Sequence, residues 1–559
     1  MKHILATLII TFNFLHTNAQ NPIPQQKSID SIFANWNFSE TPGASLGIIK
    51  NGELIYSKGY GSANLEYNIP NTSHTVFRIA STSKQFTAAC IILLSQQGKL
   101  SLDDNLTKFF PSFPTYANEI TIQHLLNHTS GIRDYLSLAQ LSGLENEDHY
   151  TDKTVEKWLV NQEELNFKPG DEYLYSNSGY WLLGQIVNNV SGISMAQYAV
   201  KHLFKPLEMN STHFHDNHKK IVKNRATGYA PNSQNGFSIS MTTLDMVGDG
   251  GVFTTIEDLK KWDDAFYDSK FLDKNFWDKM TSVGTLNNDE KITYASGLGI
   301  DNYKGLKIIQ HGGAFVGYRA EMIRFPEHRF SVILLANRAD ANPTRMAYQV
   351  ADLFLKDKFK QESTIATNIS NDSNKETDFN AISLSTNELK FFEGFYWNNE
   401  SKISRKLEVR NDTLNYIRSN GRATKMVPSN KNKFQWFGPN IPITLKTYST
   451  ANSKGFTLDI PGETKSNFIS YTPLNSYSSD DLKTYSGNYY SPELDIIYTI
   501  KVRESDLVLF VKGNTVDSLT PIMNNVLKLG SFLSFEFNES RDQFKLSMGR
   551  VKNLKFIKQ

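Results

Sequence analysis

A chain of 559 residues with a net charge of +2 and a pI near 8.2 has no basic or acidic excess, which argues against nucleic-acid binding. That length suffices for two to four domains, each with a core of its own. The one cysteine, Cys90, excludes an internal disulfide, and the 12% aromatic content, with 25 tyrosines, suits a β-rich extracytoplasmic protein.

The chain opens with Lys2 and His3, followed by an apolar run from Ile4 to Leu15 that ends in Thr17-Asn18-Ala19 before Gln20. A charged start, a short apolar core and small residues at the first and third positions before the cut predict a signal peptide over 1–19. The mature chain is then expected to be periplasmic or secreted. No cysteine follows the cut, so no lipid or other stable membrane anchor is expected. The runs Ile91–Leu94 and Val332–Ala336 are too short to cross a bilayer. Ser45 to Lys58 predicts a hairpin with Asn51-Gly52 as its tight turn. Next, Ser81-Thr82-Ser83-Lys84 lies between an extended segment and a long apolar helix, in which Cys90 packs beside Ala89, Leu93 and Leu94. A serine and a lysine three apart on a first helical turn share a face. A serine hydroxyl needs a base, and a lysine buried at a positive helix N-terminus is disfavoured in its charged form.

Pro169-Gly170 reads as a loop, and helical periodicity follows through Leu183, Ile186, Val187 and Val190. Tyr175-Ser176-Asn177 therefore falls where a loop enters a helix. There Tyr175 can relay a proton, and the Asn177 amide can both donate to and accept from a substrate amide. His213, His215 and His218, with Asp216 among them, are the residue types of a zinc site. A solvated surface loop is the expected reading, and no metal or other cofactor is called for. Thr255 predicts a helix cap. His311-Gly312-Gly313 ends the apolar run Leu306–Ile309, and paired glycines at a strand edge let a substrate backbone approach. Strands follow over Tyr318–Phe325 and Phe330–Asn337. A helix over Met346–Leu355 is entered through Asn342 as N-cap and Pro343 as first helical residue.

Strands at both ends with helices between them predict an α+β catalytic domain over 28–358. The polar stretch 359–387 reads as a linker. Beyond it, the phrase from Leu389 to Tyr396 recurs from Leu482 to Tyr489, each copy opening a series of short strands. That predicts two small antiparallel β-barrels, over 388–478 and 479–559, or one two-part lipocalin-like barrel.

In the order S-x-x-K, Y-x-N, H-x-G, with 94 residues from Ser81 to Tyr175 and 136 from Tyr175 to His311, the chain resembles the penicillin-recognising serine hydrolases. These comprise class C β-lactamases, D,D-peptidases, D-aminopeptidases and related esterases. The phrases Gln97–Asp104, His124–Ile132, Lys205–Met209 and Gly250–Thr255 carry the resemblance across residues 28–358. It implies a β-lactamase/transpeptidase-like domain with an acyl-enzyme on Ser81, whose proton Lys84 and Tyr175 manage. It also implies an oxyanion site from the backbone N–H groups of Ser81 and Ala314, with Asn177, His311, Gly313 and Ala314 binding substrate. The two-barrel layout is similar to that of D-aminopeptidases, which implies a lid or specificity role for the barrels.

The implied partners are small peptides, amides or esters, D-amino-acid peptides and peptidoglycan fragments among them. His311 stands where β-lactamases usually carry lysine. A neutral imidazole holds a carboxylate less firmly than an ammonium does, so His311 argues against a dedicated β-lactamase and for peptides or esters with less dependence on a free carboxylate, without excluding carboxypeptidases. The resemblance implies a hydrolase of D-aminopeptidase or D,D-peptidase type. The alternatives are a β-lactamase or esterase of the same family, or a penicillin-binding, peptidoglycan-sensing protein without turnover.

Overall fold

The computed structural model describes residues 23–559 apart from 269, 360–380, 420, 438–441, 451–452, 461–464 and 475–476. The expected signal peptide and most of the expected linker lie outside the described residues. Among the described residues, no helix is long and apolar enough to cross a membrane.

Six antiparallel strands form the first sheet: β1 (Ala44–Lys50), β2 (Glu53–Tyr60), β3 (Gly299–Tyr303), β4 (Leu306–Phe315), β5 (Tyr318–Phe325) and β6 (Phe330–Ala336). Their order is β3-β4-β5-β6-β1-β2, so the first hairpin closes onto the last strand, with Ala44 opposite Ala336 and Lys50 opposite Phe330. Asn51 (φ 53°) and Gly52 (φ 80°) both take the left-handed backbone that a two-residue hairpin turn requires.

Strand β6 is buried along its whole length because both faces of the sheet are covered. Val332 and Leu334 face one core with Leu46 and Ile48, under α1 (Gln26–Ile32) and the closing helix. Ile333 and Leu335 face the other core, which the helical region fills. In that region lie α2 (Lys84–Gln96), α3 (Asn177–Ser191) and α4 (Ile256–Asp268). Every residue of α2 from Lys84 to Leu94 is buried. The apolar ones fill the core, and Lys84, Gln85 and Thr87 donate to Asn177 Oδ1 and to the Thr82 and Gly248 carbonyls respectively. The Thr255 hydroxyl accepts from the Asp258 N–H at 3.2 Å, and a buried Arg324–Asp263 pair at 2.6 Å ties α4 to the sheet. The closing helix α5 (Pro343–Leu355) starts with proline at its first position, and Asn342 Oδ1 accepts from the Arg345 N–H at 3.0 Å.

Two features of the sheet depart from the sequence reading. The strand that begins at Leu306 runs on to Phe315, so His311, Gly312 and Gly313 lie within it rather than at its end. Strand β3 was not expected at all. Its sequence, Gly-Ile-Asp-Asn-Tyr, is polar because an edge strand half-open to water needs little apolar pattern.

The C-terminal part forms two units, which decides between the two layouts expected. The first is a nine-stranded, near-closed antiparallel sheet. Its end strands, Ala423–Lys425 and Val427–Asn430, adjoin through Met426 alone, around a core that includes Leu407, Tyr416, Phe434 and Phe456. The second is a closed eight-stranded barrel, whose first strand (Gly487–Ser491) pairs with its last (Val551–Lys558). The repeated phrase does the same work in each unit. A short helix ends, a glycine takes positive φ (Gly394 148°, Gly487 155°), and a tyrosine hydroxyl donates back to the carbonyl four residues earlier. Those bonds are Tyr396 to Phe392 at 2.6 Å and Tyr489 to Tyr485 at 2.9 Å.

Candidate active site

Residues Ala80–Ser83 form a 3₁₀ turn that runs into α2. Side chains three apart eclipse in that geometry, so Ser81 and Lys84 align across the turn rather than on the first turn of the α-helix itself. Ala80 has φ 46°, a left-handed backbone that costs a non-glycine residue on the order of 1–3 kcal/mol. It sets Ser81 at the cleft, while Thr82 and Ser83 are buried behind it. Lys84 Nζ lies 3.3 Å from Ser81 Oγ and donates to Asn177 Oδ1 at 2.9 Å and to the Asp249 carbonyl at 2.5 Å. Burial brings the Lys84 pKa down to about 8, against the pull of Asp249 and Asp134.

Asn177 opens α3 behind Ser176, whose hydroxyl caps the helix by accepting from the Gly179 N–H. The Asn177 backbone N–H donates to Asp134 Oδ2 at 2.7 Å, which holds its side chain against Lys84. Tyr175 precedes the cap. Its ring lies 4.1 Å from that of His128 and 4.8 Å from Lys84 Nζ. Its buried hydroxyl completes no hydrogen bond among the described residues. Burial raises the Tyr175 pKa well above the ordinary phenol value, opposed first by the Ser81 hydroxyl and then by the charge of Arg550. His128 Nδ1 accepts from the Ser176 N–H at 3.1 Å, and burial holds its imidazole far below the usual range, hence neutral.

Strand β4 forms the facing wall. It pairs with β3 only from Leu306 to Gln310, so among the described residues the stretch 311–315 is paired on one side alone, with β5. A Cβ at Gly313 would stand 2.1 Å from the Ile79 carbonyl, so only glycine lets the strand lie this close to the serine turn. Burial and the nearby Lys84 bring the His311 pKa down to about 4. Its neutral ring is fully engaged: Nδ1 donates to the Gly312 carbonyl at 2.6 Å, and Nε2 accepts from the Tyr294 hydroxyl at 2.8 Å. Ser81, Tyr175, Asn177, His311, Gly313 and Ala314 line one cleft of about 740 Å³.

The Beta-lactamase family profile matches residues 32–354. The chain belongs to the Beta-lactamase family. It is 29% identical over 331 residues to "Penicillin-binding protein 4*" of Bacillus subtilis (strain 168), covering 56% of this chain and 72% of that one. It is 26% identical over 300 residues to a D-aminopeptidase of Gluconobacter oxydans (strain 621H), covering 54% of this chain and 56% of that one. The match therefore spans little more than half of that relative. Among solved structures, the octameric penicillin-binding protein homologue from Pyrococcus abyssi gives a TM-score of 0.54 at 26% identity, over 79% of this chain and 98% of that one. D-amino acid amidase from Ochrobactrum anthropi SV3 shares the fold, with a TM-score of 0.50 at 23% identity, over 60% of this chain and 98% of that one.

Within this Beta-lactamase-family cleft, four residues that no motif marked complete the arrangement. Asp134 anchors Asn177, and the Asp249 carbonyl receives Lys84. Tyr294 engages His311, and Arg550 reaches in from the second barrel. Asp249 directly precedes the Gly250-Gly251 phrase and could have been found there, whereas nothing local distinguishes Arg550. The barrel is held in place next to Asp134. Buried Arg133 donates to Glu493 at 2.5 Å and, through Nε and Nη2, to the Lys552 carbonyl at 3.1 and 2.9 Å. The histidine-rich segment does not converge on one point. His213 Nε2 and His215 Nδ1 face each other at 3.3 Å. His218 turns instead to Asp245, and with His149 the three side chains offer ligand atoms within 4.8 Å of one another.

Proposed function

We propose that the protein is a serine hydrolase that forms an acyl-enzyme on Ser81 and cleaves amide or ester bonds in small substrates, D-amino-acid peptides above all. The observation that carries this is a buried lysine with a depressed pKa, 3.3 Å from an accessible serine hydroxyl. Ser81 Oγ bonds to the substrate carbonyl carbon as its proton passes to Lys84. Backbone N–H groups of Ser81 and Ala314 receive the oxyanion. The bond to the leaving group breaks as Tyr175 gives that group its proton and recovers one from Lys84. Water, deprotonated in the same way, then cleaves the acyl ester and restores Ser81. Because burial keeps Tyr175 protonated, Lys84 is the base and Tyr175 the donor, while Asn177 orients the substrate amide. The preference for D-residues is supported by the D-aminopeptidase among the relatives. The apolar N-terminus supports action outside the cytoplasm, and N-terminal sequencing of the native protein is expected to start at or near Gln20.

The test is covalent labelling. Ser81→Ala is expected to abolish labelling by a fluorescent penicillin or a fluorophosphonate, and wild-type labelling of the folded variant overturns the assignment. A panel of D-alanine amide, a D-Ala-D-Ala peptide, a p-nitrophenyl ester and a chromogenic cephalosporin then ranks substrates. Labelling without turnover of any of them would make the protein a penicillin-binding protein rather than a hydrolase.

A further inference from the structure

The geometry points to Arg550, delivered by the second barrel, as the group that holds a free carboxylate on the leaving residue, which makes the protein a carboxypeptidase-type hydrolase of peptides ending in a D-amino acid. This rests on the Ser81 acyl-enzyme reading. Arg550 sits with Gly549 at the tip of the hairpin between the last two barrel strands, Gln543–Met548 and Val551–Lys558. The tip is clamped to the catalytic domain. The Arg550 carbonyl accepts from Asn166 Nδ2 at 2.9 Å and from the Asp134 N–H at 3.4 Å, and the Lys552 N–H donates to Asn166 Oδ1 at 2.8 Å.

The guanidinium is paired with Asp134 at 3.8 Å, beyond hydrogen-bond distance, and among the described residues it makes no hydrogen bond, so its N–H donors remain open to a ligand. It stands 4.6 Å from the centre of the Tyr175 ring and lines the same cleft as Ser81 and Asn177.

Tyr175 protonates the departing nitrogen. In a C-terminal residue the α-carboxylate lies two bonds from that nitrogen, so a cation beside Tyr175 is placed for it. Arginine matches a carboxylate with two parallel N–H donors. Of the other cations of the cleft, Lys84 serves Ser81, Asn177 and Asp249 and Arg319 Nη1 donates to the Val316 and Tyr318 carbonyls. Arg78 is buried between Phe253 and Phe315, with its Nε unpaired among the described residues, whereas Arg550 stands beside Tyr175. His311 has no free ring nitrogen. A substrate presenting a free ammonium beside Tyr175 would be repelled.

The experiment compares two substrates on the full chain: an N-acylated peptide ending in D-Ala-D-Ala as the free acid, and the same peptide as its C-terminal amide. The wild type is expected to favour the acid. Arg550→Gln is expected to lower kcat/KM for the acid ten- to hundredfold and for the amide less than threefold, with Arg550→Lys recovering part of the loss. Fluorophosphonate labelling of Ser81 and the Tm are read alongside to show that the variants are folded. Equal losses on both substrates, no loss on the acid, or a wild type that prefers D-alanine amide would overturn the carboxylate role. So would the whole acid preference disappearing in Arg319→Gln instead. Absence of Ser81 labelling in the wild type would instead sink the underlying acyl-enzyme reading, so the two failures are distinguishable.

Discussion

In the proposed mechanism Lys84 must shed a proton before it can take one from Ser81, and its burial sets the pH at which that happens. With a folded pKa of about 8, kcat/KM for an uncharged ester is expected to rise roughly tenfold per pH unit below that value and to level off above it. A stopped assay from pH 5.5 to 9.5 checks this. No second limb is expected near 6.5, because burial holds His311 near 4 and His128 far below its ordinary value, and His311→Gln should leave the limb where it is. The same burial acts on stability with a definite sign. A histidine whose folded pKa lies below its unfolded value contributes stability that is complete above about pH 6.5 and is lost as pH falls toward the folded value. For His311 alone that loss is on the order of a few kcal/mol. The drop in Tm between pH 7 and 4.5 should therefore be smaller in His311→Gln than in the wild type; an equal drop would mean that His311 is not buried as a neutral ring.

At the scale of elements, the turn from Gly131 to Tyr135 joins two functions. Arg133 locks onto the barrel, and Asp134, the next residue, fixes Asn177. Glu493→Gln leaves a buried guanidinium without its counter-charge, a change that typically costs about 3–5 kcal/mol. It should lower stability in denaturant titrations and also weaken turnover, because the displaced turn carries Asp134. Stability loss with unchanged kcat/KM would separate the two functions. The contrast between local and distant partners also explains what the sequence could disclose. Hairpin β1–β2 was legible because Asn51-Gly52 admits little else, and α5 because Asn342 and Pro343 are a cap and a first residue in adjacent positions. The serine, tyrosine and histidine motifs were legible because each is a local pattern on one element. Strand β3 was not, since its pairing with β4 rather than its own composition makes it a strand. Neither was Arg550, whose role comes from a contact between segments that no spacing rule connects.

Across the whole molecule, the two barrels are not equivalent. The second shares a continuous apolar core with the catalytic domain, whereas the first has a core of its own and meets the second through a Lys402–Glu536 pair at 2.9 Å. That pair is largely shielded from water, its side chains 12% and 27% exposed, so Lys402→Ala should cost about 1.5–3 kcal/mol of stability and change kcat/KM less than twofold. A larger effect on catalysis would show that the first barrel also shapes the cleft. Shortening the chain to end near Lys358 is a harsher change. It should allow Ser81 labelling only in so far as the 131–135 turn holds without Glu493 and Lys552, and hydrogen exchange across that turn is expected to rise sharply.

Arg133 and the Lys552 carbonyl it binds are 419 residues apart, and that separation has a temporal meaning. During synthesis Ser81, Lys84 and their helix emerge early, while the hairpin that carries Arg550 emerges long after them. A nascent or prematurely terminated product therefore carries the serine and lysine without the arginine. Until the second barrel is made, Arg133 lacks its partners and Asp134 is not held against Asn177 from that side, so the cleft around Ser81 is completed only when the two ends of that span meet.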